Sequence, residues 1–522
     1  MAEPFGQVRW RTAVAAVGLR AAIVKATSAV RIVQDGTSAS RERSDSSLRR
    51  FAWVCPSVLG AVLSGCAPNA NTTEEPRPHD ARTYAAPEES TFDALPGVPQ
   101  TFRWVGKLDG AAYRIEVPQD GWNGQLLMWA HGYAGQGSNL VIDGPIMRQY
   151  LIEHGYAWAA SSYSKNHYDV RGGIEDTNAL AQAFTSLAAA NGHALASPAK
   201  IFIAGTSMGG HIAAAAVERE TLAYVHHRVE YAGAVALCGV LGDTEFFNYF
   251  AAYQLAAMQL AGVPALTYPV PGWKYLAPTA KAALWTNFPT QPTVLGNRLM
   301  ALARNLSGGE RPFYAEAFED PNAQGNLWRA RDGTLEGVLT KNIADTRNIV
   351  YRFGDPSQPM TAEEVEFNEK VTRAQPDVDA NRLRRDGLRW IPLLQGEFDV
   401  PVLTLHTLGD LYVPLRMEQI YRQRATVHGS DRWLVQRVVR DFGHCAFTVS
   451  EAAQAFDALV RWSNGGPKPA GDDVLDPKAL AAPDAGCRFT RNPTGTWDSA
   501  IAASRAAAQA HYPVCPRAAS SQ

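Results

Sequence analysis

Between about residues 100 and 465, short apolar runs alternate with stretches of helical periodicity, and their order predicts the architecture. Phe102 to Lys107 and Ala111 to Val117 alternate at a period of two, as the arms of a hairpin do. Gln125-Leu126-Leu127-Met128-Trp129-Ala130 is apolar almost throughout and reads as a strand covered on both faces. A helix near Pro145 to His154, a strand in Tyr156 to Ser161 and a long helix in Ile174 to Ala190 lead to the β-branched run Ile201-Phe202-Ile203. Tyr231 to Val240, Val402 to His406 and Trp433 to Val439 read as three more buried strands, and Val449 to Trp462 as an amphipathic helix. Strands and helices in this order predict an α/β fold, a mainly parallel sheet with helices on both faces.

About 160 residues separate the strand ending at Val240 from the one starting at Val402, whereas connections in compact domains run to about 4–6 residues. An inserted, mostly helical cap over residues 243–399 is therefore expected. It is rich in aromatics, with helical spacing from Phe246 to Leu260. An insertion at this point lies over the strand ends, so some of those aromatics should line a substrate pocket. Residues 101–242 and 400–466 then form the body, and 467–522 a tail without sustained periodicity until about Thr496.

Composition changes the picture mainly at the N-terminus. The 522 residues carry 49 Lys and Arg against 51 Asp and Glu, and with no basic stripe nothing supports a nucleic-acid partner. The first fifty residues are arginine-rich and acid-poor; Arg49-Arg50 then precede an apolar run from Phe51 to Leu63 that is short for a membrane span. The run ends in Leu63-Ser64-Gly65-Cys66, which resembles a bacterial lipobox and implies cleavage before Cys66 and a lipid anchor on its sulfur. Residues 1–66 are thus expected to be leader and signal, and 67–100, with Pro, Asn, Thr and Glu in no periodic order, a flexible tether. Export would leave Cys238, Cys445, Cys487 and Cys515, an even number that suits an oxidising compartment. Three pairings are open; Cys238 with Cys445 and Cys487 with Cys515 is the favoured one.

The chemistry centres on Gly205-Thr206-Ser207-Met208-Gly209, set between the apolar run and the alanine-rich His211 to Glu218. A strand turning straight into a helix strains Ser207 and crowds its neighbours, which glycines relieve; this is a nucleophile elbow. A serine hydroxyl needs an imidazole to take its proton and a carboxylate to orient that imidazole. His444, in the loop Asp441-Phe442-Gly443-His444-Cys445 after the last strand, and Asp410, in the turn Gly409-Asp410-Leu411-Tyr412-Val413-Pro414, fit these roles, with Asp243 in reserve. The order Ser207, Asp410, His444 resembles that of the α/β-hydrolase superfamily of serine hydrolases. The resemblance implies an oxyanion hole made by the backbone N–H groups of Met208 and of Tyr133, in His131-Gly132-Tyr133, with His131 bracing that loop.

The Tyr133 and Met208 pair also resembles cutinase-like polyester hydrolases, as does a cysteine beside the histidine, although the large cap does not. An exported esterase acting on a bulky or aromatic carboxylic ester is the expectation. Its rivals are a capped aminopeptidase of the same fold, for which Glu363, Glu364 and Glu366 would bind the substrate amine, and a non-catalytic binding protein on the hydrolase scaffold. Gly-rich phosphate loops, Cys-x-x-Cys pairs and His-Glu-x-x-His are absent, so neither a cofactor nor a metal is expected.

Overall fold

The computed structural model describes residues 81–320, 323, 327, 328, 339, 341–496, 498–511 and 515. The expected leader, the apolar run, Cys66 and the first part of the tether lie outside the described residues. The described chain belongs to one compact unit, Thr72–Gln522.

The body contains β1 (Thr101–Leu108), β2 (Ala111–Pro118), β3 (Gln125–Ala130), α1 (Arg148–Glu153), β4 (Ala157–Ser161), α2 (Val170–Ala190), β5 (Lys200–Thr206), α3 (Met208–Ala215), α4 (Arg219–Tyr224) and β6 (Ala234–Leu237). The segment expected to form the cap contributes α5 (Glu245–Leu260), α6 (Trp273–Leu284), the short ribbon β7 (Trp285–Asn287) and β8 (Gln291–Pro292), α7 (Val294–Leu306), α8 (Tyr314–Glu319) and α9 (Ala362–Lys370). The chain then returns to the body through β9 (Val402–Thr407), α10 (Arg416–His428), β10 (Leu434–Val439) and α11 (Val449–Ser463), and ends in α12 (Pro477–Ala481) and α13 (Ser499–His511).

The main sheet has eight strands in the order β1-β2-β4-β3-β5-β6-β9-β10, and β2 alone runs against the others. Its apolar runs are continuous because alternate residues meet different helical layers. Leu126 and Met128 pack towards Ile174 and Ile212 of α2 and α3, whereas Leu127 and Trp129 share a core with Leu151 of α1 and Phe456 of α11. Register places Ala130 beside Gly205 and Leu237 beside Leu405, so the ends of β3, β5, β6 and β9 form one edge.

Three expectations need correction in detail. Helix α2 starts at Val170, four residues before Ile174, because Asp169 caps it by accepting from Gly172 N at 2.9 Å. Strand β6 is four residues long, since the chain turns out of the sheet at Cys238, whose φ is +46°. The described end of the tether, residues 81–100, lies on the body: Ala85 bridges Asn139, and Phe92 is buried with its ring 5.6 Å from Trp158. Polar ties add to this aromatic anchor, since Arg114 pairs with Glu89 and Arg103 and Arg148 donate to Phe92 O and Asp93 O, and together they fasten a segment of otherwise disorder-like composition. Among the described residues no helix is long and apolar enough to cross a membrane.

Candidate active site

Ser207 occupies the single residue between β5 and α3, with φ +55° and ψ −118°. A non-glycine residue there costs on the order of 1–3 kcal/mol and persists only where its surroundings impose it. They do so through backbone crowding: a Cβ on Gly209 would lie 2.0 Å from the carbonyl oxygen of Ala130, and one on Gly205 2.3 Å from that of Gly209. Ser207 N donates to Leu237 O at 2.9 Å, which ties the elbow to β6.

The loops after β9 and β10 bring two partners to the hydroxyl. His444 Nε2 lies 2.9 Å from Ser207 Oγ, and Nδ1 lies 2.6 Å from Asp410 Oδ2. An ionised carboxylate only accepts, so Nδ1 carries the proton and Nε2 is left to accept from the serine. Asp410 is fully buried, and its other oxygen accepts from the backbone N–H groups of Tyr412 at 2.8 Å and Val413 at 3.1 Å. Asp243 is elsewhere engaged, accepting from Arg424 at 2.6 Å and from Leu394 N at 2.8 Å.

On the other flank, a Cβ on Gly132 would sit 3.4 Å from Ser207 Cβ, so the His131-Gly132-Tyr133 loop lies against the elbow. The buried His131 ring stacks on Tyr163 at 4.0 Å, with its nitrogens 2.6 Å from Gly132 O and 3.1 Å from Ser162 O. Helix α3 begins at Met208, so its first backbone N–H groups have no acceptor within the helix and face the elbow end.

Among the described residues two disulfides are present, Cys238–Cys445 and Cys487–Cys515, as suits an oxidising environment. The first joins the end of β6 to the residue after His444, and Cys445 Sγ lies 3.3 Å from His444 Nε2. Ser207, Cys238 and Cys445 all have positive φ, at +55°, +46° and +57°, which concentrates backbone strain around one point. The grouping of Cys238, His444 and Cys445 is accounted for by this disulfide and the serine–histidine contact, because bonded sulfurs are not thiolate ligands.

Further residues at the site carry weaker signals in the sequence. Tyr412 sets its ring edge-on to His444 at 5.1 Å, and burial, then Tyr133 and Asp410, push its phenol up to about 12. Phe246 and Phe250 of α5 each lie 6.2 Å from Tyr412, and Tyr168 continues the row 6.2 Å from Phe246. Behind the acid turn, His406 Nε2 donates to Val413 O at 2.9 Å, and its Nδ1 lies 3.6 Å from Glu418 Oε1 in full burial. Burial favours the neutral ring, but Glu418 and then Asp410 outweigh it and raise the His406 pKa.

An eight-stranded sheet in this order, with β2 reversed, a strand–serine–helix elbow after β5 and the histidine loop after the last strand, decides the fold. The chain has the α/β-hydrolase fold. No family model matches it. It is 32% identical over 66 residues to an o-phthalyl amidase from Xanthobacter agilis, which is 13% of this chain and only 15% of the amidase's length. Among solved structures it is similar to feruloyl esterase B from Aspergillus oryzae, at 13% identity over 72% of this chain and 85% of that one, with a TM-score of 0.40. It is also similar to the rice cell wall degrading esterase LipA from Xanthomonas oryzae, at 17% identity over 68% and 86%, with a TM-score of 0.35. Acylaminoacyl peptidase from Pyrococcus horikoshii shares 11% identity over 74% of this chain and 43% of its own length, at a TM-score of 0.33.

Proposed function

We propose that this protein of α/β-hydrolase fold is an exported serine hydrolase that cleaves carboxylic esters carrying a bulky or aromatic group. The observation that carries the reading is the unbroken relay from Ser207 through His444 to the buried Asp410, beneath an aromatic wall supplied partly by the cap. Ser207 Oγ attacks the ester carbonyl while its proton passes to His444 Nε2, and Asp410 steadies the imidazolium without taking a proton. The carbonyl oxygen gathers negative charge against the backbone N–H groups of Met208 and Tyr133. The tetrahedral intermediate collapses, the alcohol leaves with the proton from His444, and the acyl group stays on Ser207. Water, deprotonated by His444, releases the acid by the same steps in reverse.

The aminopeptidase reading loses its amine-binding cluster, since Glu363 pairs with Arg298, Glu366 with Lys370, and Glu364 is buried and accepts from three backbone N–H groups. A lipid anchor on Cys66 is part of the proposal and would hold the enzyme at the cell envelope. The test is turnover of p-nitrophenyl esters against aminoacyl anilides, with a fluorophosphonate probe on Ser207. Preference for aromatic esters supports the reading. Anilide turnover exceeding ester turnover would select the peptidase, and failure to label Ser207 the non-catalytic scaffold.

A further inference from the structure

A buried side chain of the C-terminal tail reaches the loop that carries His444. Arg505, on α13, is 1% exposed and lies sixty-one residues beyond His444 in sequence. Its guanidinium carries five N–H donors, and all five find acceptors. Nε donates to Asp441 Oδ2 at 3.0 Å; one terminal nitrogen donates to Glu451 Oε1 at 2.8 Å and Arg491 O at 2.9 Å; the other donates to Ala446 O at 2.9 Å and Glu451 Oε2 at 3.1 Å.

These acceptors bracket His444. Asp441 lies three residues before it and Ala446 two after, and the loop between them belongs to no regular element. Asp441 passes the restraint on: its Oδ1 accepts from Gly443 N at 2.8 Å, and its carbonyl accepts from Gly409 N at 2.9 Å, beside Asp410. Glu451 closes the capping box of α11, so the helix following the loop is fastened to the same guanidinium. Asp498, just before α13, repeats the tie by accepting from Val449 N at 2.9 Å. The Cys487–Cys515 bridge encloses α13 and holds it in place.

We propose that Arg505 is a positioning residue that sets His444 against Ser207 and Asp410, which makes the C-terminal helix a working part of the active site. The proposal rests on the serine hydrolase reading. It goes beyond that reading by assigning a role to a segment outside the catalytic body. Proton transfer needs the imidazole held within hydrogen-bond reach of the serine, and an error of about 1 Å costs on the order of 10²-fold in rate. A purely structural Arg505 would govern only how much protein folds.

The experiment compares the full chain with Arg505→Lys, which keeps the charge but offers three donors to five acceptors. Active sites are counted by fluorophosphonate titration run to completion, and kcat is expressed per titrated site. The expected result is a 10- to 100-fold lower kcat with KM changed less than threefold. Arg505→Ala should regain part of its kcat on addition of methylguanidine. An independent readout is the downfield proton resonance of the His444 Nδ1–H bonded to Asp410, assigned by its loss in His444→Gln, which should shift or broaden in Arg505→Lys. An unchanged resonance together with a kcat per site within threefold of wild type overturns the proposal. A wild-type chain that shows the resonance, loses it in Arg505→Lys, and yet hydrolyses no ester would overturn the functional reading while supporting the positioning role.

Discussion

At the elbow, the sheet and α3 meet through their backbones: Gly205, Gly209 and Ala130 approach so closely that a Cβ on either glycine would overlap a carbonyl group. In the cap, elements meet through side chains instead. Trp273 stacks on Trp328 at 5.6 Å, Trp285 packs edge-on to Phe288 at 5.1 Å, and Glu364 gathers the N–H groups of Phe353, Gly354 and Thr361. Backbone contact leaves no freedom of substitution and fixes atoms to a fraction of an ångström. Side-chain contact tolerates exchange and suits a surface proposed to fit a substrate. The body is therefore where changes should abolish chemistry, and the cap where they should redirect it.

The largest effects test the body. Ser207→Ala should lower kcat on the order of 10⁶-fold with folding intact, and Asp410→Asn roughly 10⁴-fold, because the amide would favour the wrong imidazole tautomer. Steady-state kinetics on an ester substrate check both, and a kcat within tenfold of wild type for Ser207→Ala would break the contrast at its root. Reduction of Cys238–Cys445, or Cys238→Ser, should lower kcat by about tenfold while moving KM little, since the bridge restrains the residue after His444. Mass mapping under the same dithiothreitol treatment establishes that the bridge is open; an unchanged kcat would assign it to stability alone.

A smaller effect is expected in the cap. Phe246→Leu should lower kcat/KM for an aromatic ester by about tenfold relative to a short aliphatic ester, as loss of one aromatic contact in the wall implies. An equal loss on both substrates would mean that α5 supports the triad rather than the substrate.

The smallest effect separates the two regions by pH. In the body, burial pushes Glu218 up to about 7 against the pull of Glu397 and Gly396 N–H groups, so the stability it leaves intact below about pH 4.5 is lost as pH rises through 7. In the cap, burial raises Glu364, but the N–H groups of Gly354, Thr361 and Phe353 and then Arg352 outweigh it and hold it at about 2. Its contribution is present above about pH 4.5 and lost as pH falls through 2. Thermal unfolding should show Glu218→Gln flattening the decline between pH 5 and 8, and Glu364→Gln flattening the one between pH 5 and 2. Identical pH curves for either variant and wild type would remove that carboxylate from the comparison.

Much of this was readable along the chain because the causes are local. The period-two and continuous apolar runs located the strands, and the elbow declared itself through glycines on both sides of Ser207, since the backbone sterics involve adjacent residues. The loops holding Asp410 and His444 were legible from their places after β9 and β10. Several features escaped, among them the fastening of residues 81–100 to the body, the early start of α2 after its Asp169 cap, and the shortening of β6 at Cys238. Each turns on a partner or a backbone angle that no periodicity records.

Sequence alone determined the order of the strands, the local pattern of the elbow and the residue types available to activate a serine. Tertiary structure set Asp410 rather than Asp243 against His444, because the sheet order brings the loop after β9 to that histidine and sends Asp243 to Arg424. It also selected one cysteine pairing of three, set Tyr412 over the imidazole, and brought Arg505 back to the loop it brackets. The reason is physical. A strand or a turn is fixed by sterics and burial over a few neighbouring residues, whereas a contact across 34 or 237 positions exists only once the whole sheet has set the path of the chain between them.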